Sequence, residues 1–248
     1  MSIATLPAAK APLIGADAMT DSPPPALHEA ARYAVLRRMG SAIRHQIAGS
    51  LQPVSMLASL LERRMQAPTP NVEALRKNAT EMSGLSRSAS SECVALMSWV
   101  APHDGELVAV GEGVEDCLHL LATELSFRGF SVVNAAAGQD ALVGRLTLRT
   151  LLPAALMALT DNAPGAAQVE VAVQTSPDAV TVSLTLTPIE RDEPPGRAKA
   201  YRRLTWQDLE ALAEDEGVVL RRSDQGVDLV LALQQRPSSE KEAGVRWS

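Results

Sequence analysis

The sequence predicts an α+β fold in which a long antiparallel helical hairpin is followed by an α/β sandwich. Hydrophobic residues make up 46% of the 248 residues and aromatic residues only 3%, which favours helical packing with a smaller sheet over a β-sandwich. Over residues 26–101, apolar residues recur at spacings of three and four, the period of an amphipathic helix. Over residues 106–235, shorter helical segments alternate with runs in which every second residue is apolar, as in strands.

The first predicted helix runs from about Ala26 to Met65, after a Pro- and Ser-rich segment, residues 1–25, that predicts a disordered tail. With each residue turning about 100°, one apolar stripe covers a band roughly 80° wide. The stripe contains Leu36, Met39, Ile43, Ile47, Ser50, Val54, Leu57 and Leu61. His45 lies about 200° from Ile43, so we expect its imidazole to project into solvent. Pro53 is expected to kink the helix, because it lacks a backbone N–H.

A second helix is predicted to begin after Asn71, a favourable N-cap, and to continue to about Val100. The loop between the two helices is short, so they form an antiparallel hairpin. A single hairpin leaves much of both apolar stripes in water, and burying each Leu or Ile is worth roughly 1.5–3 kcal/mol. We therefore expect a homodimer in which two hairpins form a four-helix bundle.

The second half of the chain is predicted to contain six strands and three helices. The strands cover Leu107–Val110, Ser131–Ala136, Val169–Val173, Val180–Leu186, Val218–Arg221 and Val227–Leu233, and the helices cover Glu112–Phe127, Leu142–Asn162 and Thr205–Glu216. This order is typical of a layered α+β domain. The polar segment 236–248 predicts a loose C-terminal tail.

Charge and cysteine content exclude several classes of function. A net charge of −6 argues against nucleic acid or an anionic membrane as the main partner. The sequence has no apolar run of about 18 residues and no signal-peptide pattern, so we expect a cytoplasmic protein. Cys93 and Cys117 lack metal-ligand spacing and are interpreted as small hydrophobic residues in a reducing compartment. The four histidines also lack paired spacing, so no metal site is predicted.

One segment of the first helix resembles the H-box of two-component histidine kinases. It contains His45-Gln46-Ile47, followed by Ser50-Leu51 and Val54. The resemblance implies that His45 is a phosphoacceptor, and a neutral, exposed imidazole is a competent nucleophile at neutral pH. The alternative is a solvated surface histidine on an amphipathic helix.

A second segment, Leu151–Ala163, resembles the N-box of the same family, in which a helix ends in Asn-Ala. The resemblance implies that Asn162 would hold the magnesium ion of a nucleotide, if one is bound. The alternative is that Asp161 and Asn162 only end the helix before Pro164-Gly165. On this resemblance, residues 26–101 are a dimerisation and phosphotransfer domain and residues 106–235 an ATPase-like domain.

Two departures from the family pattern concern ATP and the side activities of the hairpin. The Asp-x-Gly-x-Gly box expected after Val180–Leu186 is absent, and so is the second glycine-rich box before the Thr205 helix. Gln46 stands where active kinases carry a carboxylate base, and Gly49 stands where the phosphatase activity commonly uses Thr or Asn. We therefore expect no ATP and no cofactor bound by this chain.

The combination is similar to the ChpT-like histidine phosphotransfer proteins, dimeric shuttles built on a degenerate kinase fold. The resemblance implies that His45 carries phosphoryl groups between the aspartates of response-regulator receiver domains, which supply their own magnesium. Exposed polar positions near His45 are candidates for docking an acidic receiver surface, or else ordinary solvated positions. These candidates are Arg37, Arg38, Ser41, Arg44, Gln46 and Gln52.

Two other functions remain open from the sequence. The first is a divergent cytoplasmic sensor histidine kinase that autophosphorylates His45, which requires that magnesium-nucleotide raise the melting temperature. The second is a non-catalytic pseudokinase interaction module, which requires that a His45→Ala variant keep full biological activity.

Overall fold

The computed structural model describes residues 25–100, 105–189 and 201–235, and it begins with a helical hairpin. Helix α1 spans Pro25–Met65 and continues through Pro53, and helix α2 spans Val72–Met97. The Asn71 side-chain oxygen accepts the Ala74 N–H at 3.0 Å, which confirms the predicted N-cap. The predicted tails, residues 1–25 and 236–248, lie outside the described residues except for Pro25.

The remainder is an α/β part with two sheets. Strands β1 (Leu107–Ala109) and β3 (Leu142–Gly144) form an antiparallel pair. The larger sheet has the order β2-β4-β5-β7-β6, with β2 parallel to β4 and the other neighbours antiparallel. Its strands are β2 (Phe130–Asn134), β4 (Ala167–Thr175), β5 (Ala179–Pro188), β6 (Val219–Arg222) and β7 (Gly226–Ala232). The fold class is α+β, as the sequence predicts.

Three helices complete the α/β part: α3 (Val110–Phe127), α4 (Arg145–Asp161) and α5 (Trp206–Asp215). Helix α4 is buried from Leu151 to Thr160 and contacts α3, α5 and the larger sheet. A helix that is apolar on nearly every side belongs in the interior of a domain. Helix α4 is therefore the centre of the α/β core.

Helix α1 also belongs to this core. Five of its residues are buried in the same hydrophobic cluster as α3, α4 and α5: Ala31, Ala34, Val35, Met39 and Ile43. The helix contacts α2 as well as α3, α4 and α5. The first half of α1 is thus packed on the α/β part.

Most predicted ends differ from the observed ones by a few residues, and one predicted segment has the wrong element type. The sequence predicts residues 142–144 as part of the helix that ends at Asn162, but they form strand β3 and pair with β1. Leu142 continues the helical spacing of α4, whereas the pairing with Leu107–Ala109 depends on a segment more than 30 residues away. The Thr205 cap of α5 is confirmed, and Gly217, with a φ of 66°, follows the end of that helix.

None of the helices in the described ranges combines the length and the apolar character that crossing a bilayer requires.

Candidate functional site

His45 lies in the middle of α1 with an exposed side chain, beside a cleft of about 910 Å³ between α1 and the α/β part. Arg38 precedes it by seven residues, which is two helical turns, so both project from nearly the same face of α1. The α1 wall of the cleft consists of Arg38, Ser41, Ala42, His45 and Gln46. The imidazole is therefore accessible, but its face of α1 is turned toward the α/β part.

The other walls come from α3, the end of α4 and the segment that precedes α5. Helix α3 contributes His119, Thr123 and the exposed ring of Phe127. Tyr201 and Arg203 contribute from the segment before α5. The cleft thus has basic, aromatic and apolar walls and two exposed histidines, His45 on α1 and His119 on α3.

A cluster of four charged side chains lies at the base of this cleft. Arg38 contacts Asp161 through Nη1 and Oδ2 at 2.5 Å and Glu124 through Nη2 and Oε1 at 3.0 Å. Arg128 Nη2 contacts the other Asp161 oxygen at 2.6 Å. Two guanidinium groups thus face two carboxylates, as buried charges require. Burial lowers the pKa of Arg128 below the ordinary arginine value, while Asp161 opposes that shift.

Arg38 corrects one expectation from the sequence. The sequence predicts that Arg38 is exposed and docks a partner, but its side chain is only 4% exposed. The face of α1 that carries Arg38 packs against the carboxylates at the ends of α3 and α4, which neutralise the guanidinium. Arg38 is therefore part of the internal ion cluster and is not available on the surface.

The other predicted docking residues lie around His45. Arg37, Arg44 and Gln52 are exposed, whereas Ser41 and Gln46 are half-buried in the cleft wall. The Arg37 guanidinium carbon lies 5.9 Å from the centroid of the Tyr201 ring. The docking role of these residues stays a prediction.

Asn162 caps the C-terminus of α4. Its Nδ2 donates to the carbonyl oxygens of Ala158 at 2.7 Å and Leu204 at 3.2 Å. Asp161 beside it accepts the Leu204 N–H at 2.8 Å in addition to its two arginines. These side chains tie the end of α4 to the segment before α5. The Asn162 Nδ2 group therefore has a structural role at this helix end, and two arginines neutralise the Asp161 carboxylate.

Two of the remaining histidines, His28 and His119, lie in the described ranges, on different helices. His28 Nε2 lies 3.8 Å from Asp215, His119 is exposed on α3, and His103 lies outside the described residues. Within the ranges that the structure describes, no three His, Cys, Asp or Glu side chains are grouped as metal ligands.

Three residues of the cleft, Glu124, Phe127 and Arg128, are not identified as site residues by the sequence alone. Glu124 and Arg128 have the i, i+4 spacing of a helical ion pair, so that pair could have been noticed. Their convergence with Arg38 could not, because Arg38 lies 86 residues before Glu124 and 123 before Asp161. No sequence motif marks Phe127 as exposed, because it is one of several apolar residues in the helical period of α3.

Comparisons with known proteins gave structural similarity only. No protein-family model matches the chain, and no curated protein matches it. The catalytic domain of histidine kinase ThkA is 13% identical, with a TM-score of 0.39, covering 53% of this chain and 95% of that domain. The Acinetobacter baumannii histidine kinase AdeS is 13% identical, with a TM-score of 0.39, and the match covers 73% of this chain and 96% of that protein. A protein described as a bacterial phosphotransferase is 14% identical with a TM-score of 0.32, covering 79% and 95%. At these values, neither activity nor partners transfer to this chain.

Proposed function

We propose that this chain is a histidine phosphotransfer protein of two-component signalling. His45 accepts a phosphoryl group from the aspartyl phosphate of one receiver domain and passes it to the aspartate of another. The observation that supports this most strongly is the exposed imidazole of His45 at the mouth of the cleft, within a segment that resembles an H-box.

The transfer itself needs little from this chain beyond the imidazole. A lone pair on a nitrogen of the neutral ring forms the N–P bond, the P–O bond of the acyl phosphate breaks, and the receiver carboxylate leaves with that electron pair. In the second step a carboxylate oxygen attacks phosphorus and the N–P electrons return to the imidazole. No proton has to leave the attacking nitrogen, because the neutral ring carries its proton on the other nitrogen.

Several features favour a carrier over a kinase. Gln46 cannot serve as a base, and both glycine-rich boxes are absent from the sequence. At the end of α4, Asp161 and Asn162 are bonded to arginines and backbone groups of this chain. A triphosphate placed there would meet charges that are already paired, which is costly.

The partners in this proposal are receiver domains, which contribute the acidic pocket and the magnesium ion. Arg37 and Arg44 are exposed near His45 and match an acidic partner surface in sign. Gln52 is exposed two turns further along α1. Magnesium is supplied by the receiver and not by this chain.

We also propose that the chain is a homodimer. Large apolar side chains are exposed over the second half of α1 and along α2: Leu51, Met56, Leu60, Met65, Val72, Val94 and Met97. Soluble monomers rarely leave so much apolar surface on one hairpin. A second copy in a four-helix bundle would cover those of these residues that share a face of the hairpin.

The proposal is tested by incubating the protein with a receiver domain labelled with ³²P on its aspartate. We expect label on the wild type and none on a His45→Gln variant. Label from ATP alone would instead identify a kinase. A lack of transfer from every cognate receiver, or full biological activity of the His45→Gln variant, would contradict the proposal.

A further inference from the structure

We infer that Arg38 is a positioning residue for His45: its bridge to Asp161 and Glu124 fixes the orientation in which α1 presents the imidazole to a docked receiver. This inference rests on the proposed function. It assigns a role to the ion cluster at the base of the cleft, which neither the H-box nor the N-box resemblance explains.

The first step concerns the geometry of α1. Arg38 and His45 are seven residues apart, which places them about 20° apart around the helix and about 10 Å apart along it. Over two turns, an α-helix rotates about its axis almost as a rigid body, so Arg38 and His45 turn together. Fixing the direction in which Arg38 projects from the axis therefore fixes the direction in which His45 projects.

The second step concerns what holds Arg38. Its two terminal nitrogens contact carboxylates from two different elements, Glu124 on α3 at 3.0 Å and Asp161 on α4 at 2.5 Å. A planar guanidinium with two such contacts is restrained in rotation as well as in distance. Arg128 contacts the other oxygen of Asp161 at 2.6 Å and so holds that carboxylate in place.

The third step concerns the surroundings of the imidazole. Apolar packing by Met39 and Ile43 holds α1 against the α/β part, but apolar contacts are not directional. The Arg38 bridge adds the directional restraint on the face that carries His45. A receiver that contacts both α1 and the α3 wall of the cleft would meet the imidazole at one fixed angle.

The experiment compares two phosphoryl donors on the full chain. Phosphoramidate is a small donor that needs no docking, and it transfers its phosphoryl group to the imidazole with release of ammonia. A phosphorylated receiver needs the correct approach angle. For an Arg38→Met variant we expect phosphoramidate labelling within about twofold of wild type and maximal transfer from the receiver reduced about tenfold or more, because small misplacements of reacting groups cost large factors in rate. The receiver concentration for half-maximal rate should change less, because Arg37, Arg44 and Gln52 are unaltered.

A second variant guards against a folding defect. Arg38→Met alone leaves two carboxylates facing one arginine, whereas Arg38→Met with Glu124→Gln removes one charge of each sign and keeps the Arg128–Asp161 pair. We expect this double variant to lose receiver transfer to the same extent. Arg38→Lys, which can keep one of the two contacts, should recover part of the rate.

Arg32→Met is the matched control. Arg32 also anchors α1, through contacts of 2.9 Å with both Asp215 and Glu216, but it lies 13 residues from His45 and is partly exposed. Its loss should leave receiver transfer within about twofold, because the Arg38 bridge is intact.

The possible outcomes separate this inference from the proposed function. If the wild type transfers, and Arg38→Met and its double variant with Glu124→Gln transfer equally well, the positioning role is wrong while the proposed function stands. Equal losses with both donors would show a general structural role and also overturn the inference. A wild type that takes label from phosphoramidate but from no receiver would overturn the proposed function, and the inference with it.

Discussion

The orientation of His45 depends on Arg38, which lies two turns before it on α1. The sequence places its imidazole opposite the apolar stripe, and the structure confirms that the side chain is exposed. In the structure, this face of α1 is turned toward the α/β part, where Arg38 donates hydrogen bonds to Glu124 and Asp161. Exposure follows from local periodicity, whereas the facing wall is a property of the tertiary fold.

Cys117 provides a pH-dependent test at the residue scale. Burial raises the pKa of its thiol far above the ordinary value. The unfolded chain releases the thiol proton above about pH 8.5, while the folded chain keeps it. This contribution to stability is therefore complete below about pH 8.5 and falls as the pH rises, by up to about 1.4 kcal/mol per pH unit.

The measurement is urea unfolding between pH 7 and 10 of the wild type and a Cys117→Ala variant. The cavity in the variant gives an offset that does not depend on pH. We expect the stability difference between the two proteins to shrink above pH 8.5. A constant difference over the whole range would show that the thiol titrates normally in the folded state.

Gly226 is predicted to tolerate no side chain. A Cβ at this position would overlap the carbonyl oxygen of Leu184 in the paired strand β5, and neither backbone can move without breaking the ladder. We expect Gly226→Ala to lower the free energy of unfolding by about 1–3 kcal/mol. Chemical denaturation measures the effect.

Gly49→Ala is the matched control for that substitution. Gly49 is an exposed position in α1, and a Cβ there would have no neighbour within 4 Å. Alanine should stabilise the helix by about 0.5–1 kcal/mol. If Gly226→Ala were neutral or stabilising, as Gly49→Ala is expected to be, the close approach of β5 and β7 at Gly226 would be wrong.

At the scale of elements, capping explains where α2 begins. The Asn71 side chain accepts the Ala74 N–H, which otherwise has no partner within the helix. We expect Asn71→Ala to cost about 1 kcal/mol in unfolding free energy, and Asn71→Gly only a few tenths. Equal costs for the two variants would contradict a capping role.

Most elements could be predicted because their signals are local. The hairpin follows from apolar spacings, a breaker segment and an N-cap, and α5 follows from Thr205 and Gly217. Strand β3 could not be predicted, because Leu142 and Val143 fit the helical period and become a strand only by pairing with β1. Local patterns identify elements, but pairing partners distant in sequence decide the ambiguous segments.

At the scale of the whole molecule, the hairpin and the α/β part share one hydrophobic core. This arrangement could not be read from the sequence, which shows α1 as one uninterrupted amphipathic helix. The first half of α1 packs on the α/β part, whereas in the second half Ser50 contacts Glu92 of α2 and Arg64 contacts Asn78 of α2. The candidate site lies at the junction, so its composition depends on contacts between residues far apart in sequence, such as Arg38 and Asp161.

The proposed homodimer can be tested through residues that are exposed in one copy. Val94, on α2, is 73% exposed, so Val94→Glu should leave the fold of a single chain intact. In a four-helix bundle the same carboxylate would be buried without a partner, which is strongly unfavourable. In size-exclusion chromatography with light scattering, we expect the wild type to have twice the monomer mass. The double variant Val94→Glu with Leu51→Glu should have a mass closer to that of the monomer.

Val219→Glu serves as the matched control, because Val219 is an exposed apolar residue on β6, at the edge of the larger sheet and not on the hairpin. It should leave the mass unchanged. A stable monomer for the wild type would contradict the dimer.

The most direct test of His45 as a phosphoryl carrier is a relay between two receiver domains in one reaction. The first receiver carries ³²P on its aspartate, and label on the second receiver is measured over time with wild type, His45→Gln or His119→Gln added. His119 is the suitable control, because it is an exposed histidine on the opposite wall of the same cleft. We expect label to reach the second receiver with the wild type and with His119→Gln, and to stay on the first receiver with His45→Gln. Relay that continues with His45→Gln, or that stops with His119→Gln alone, would contradict the assignment of His45.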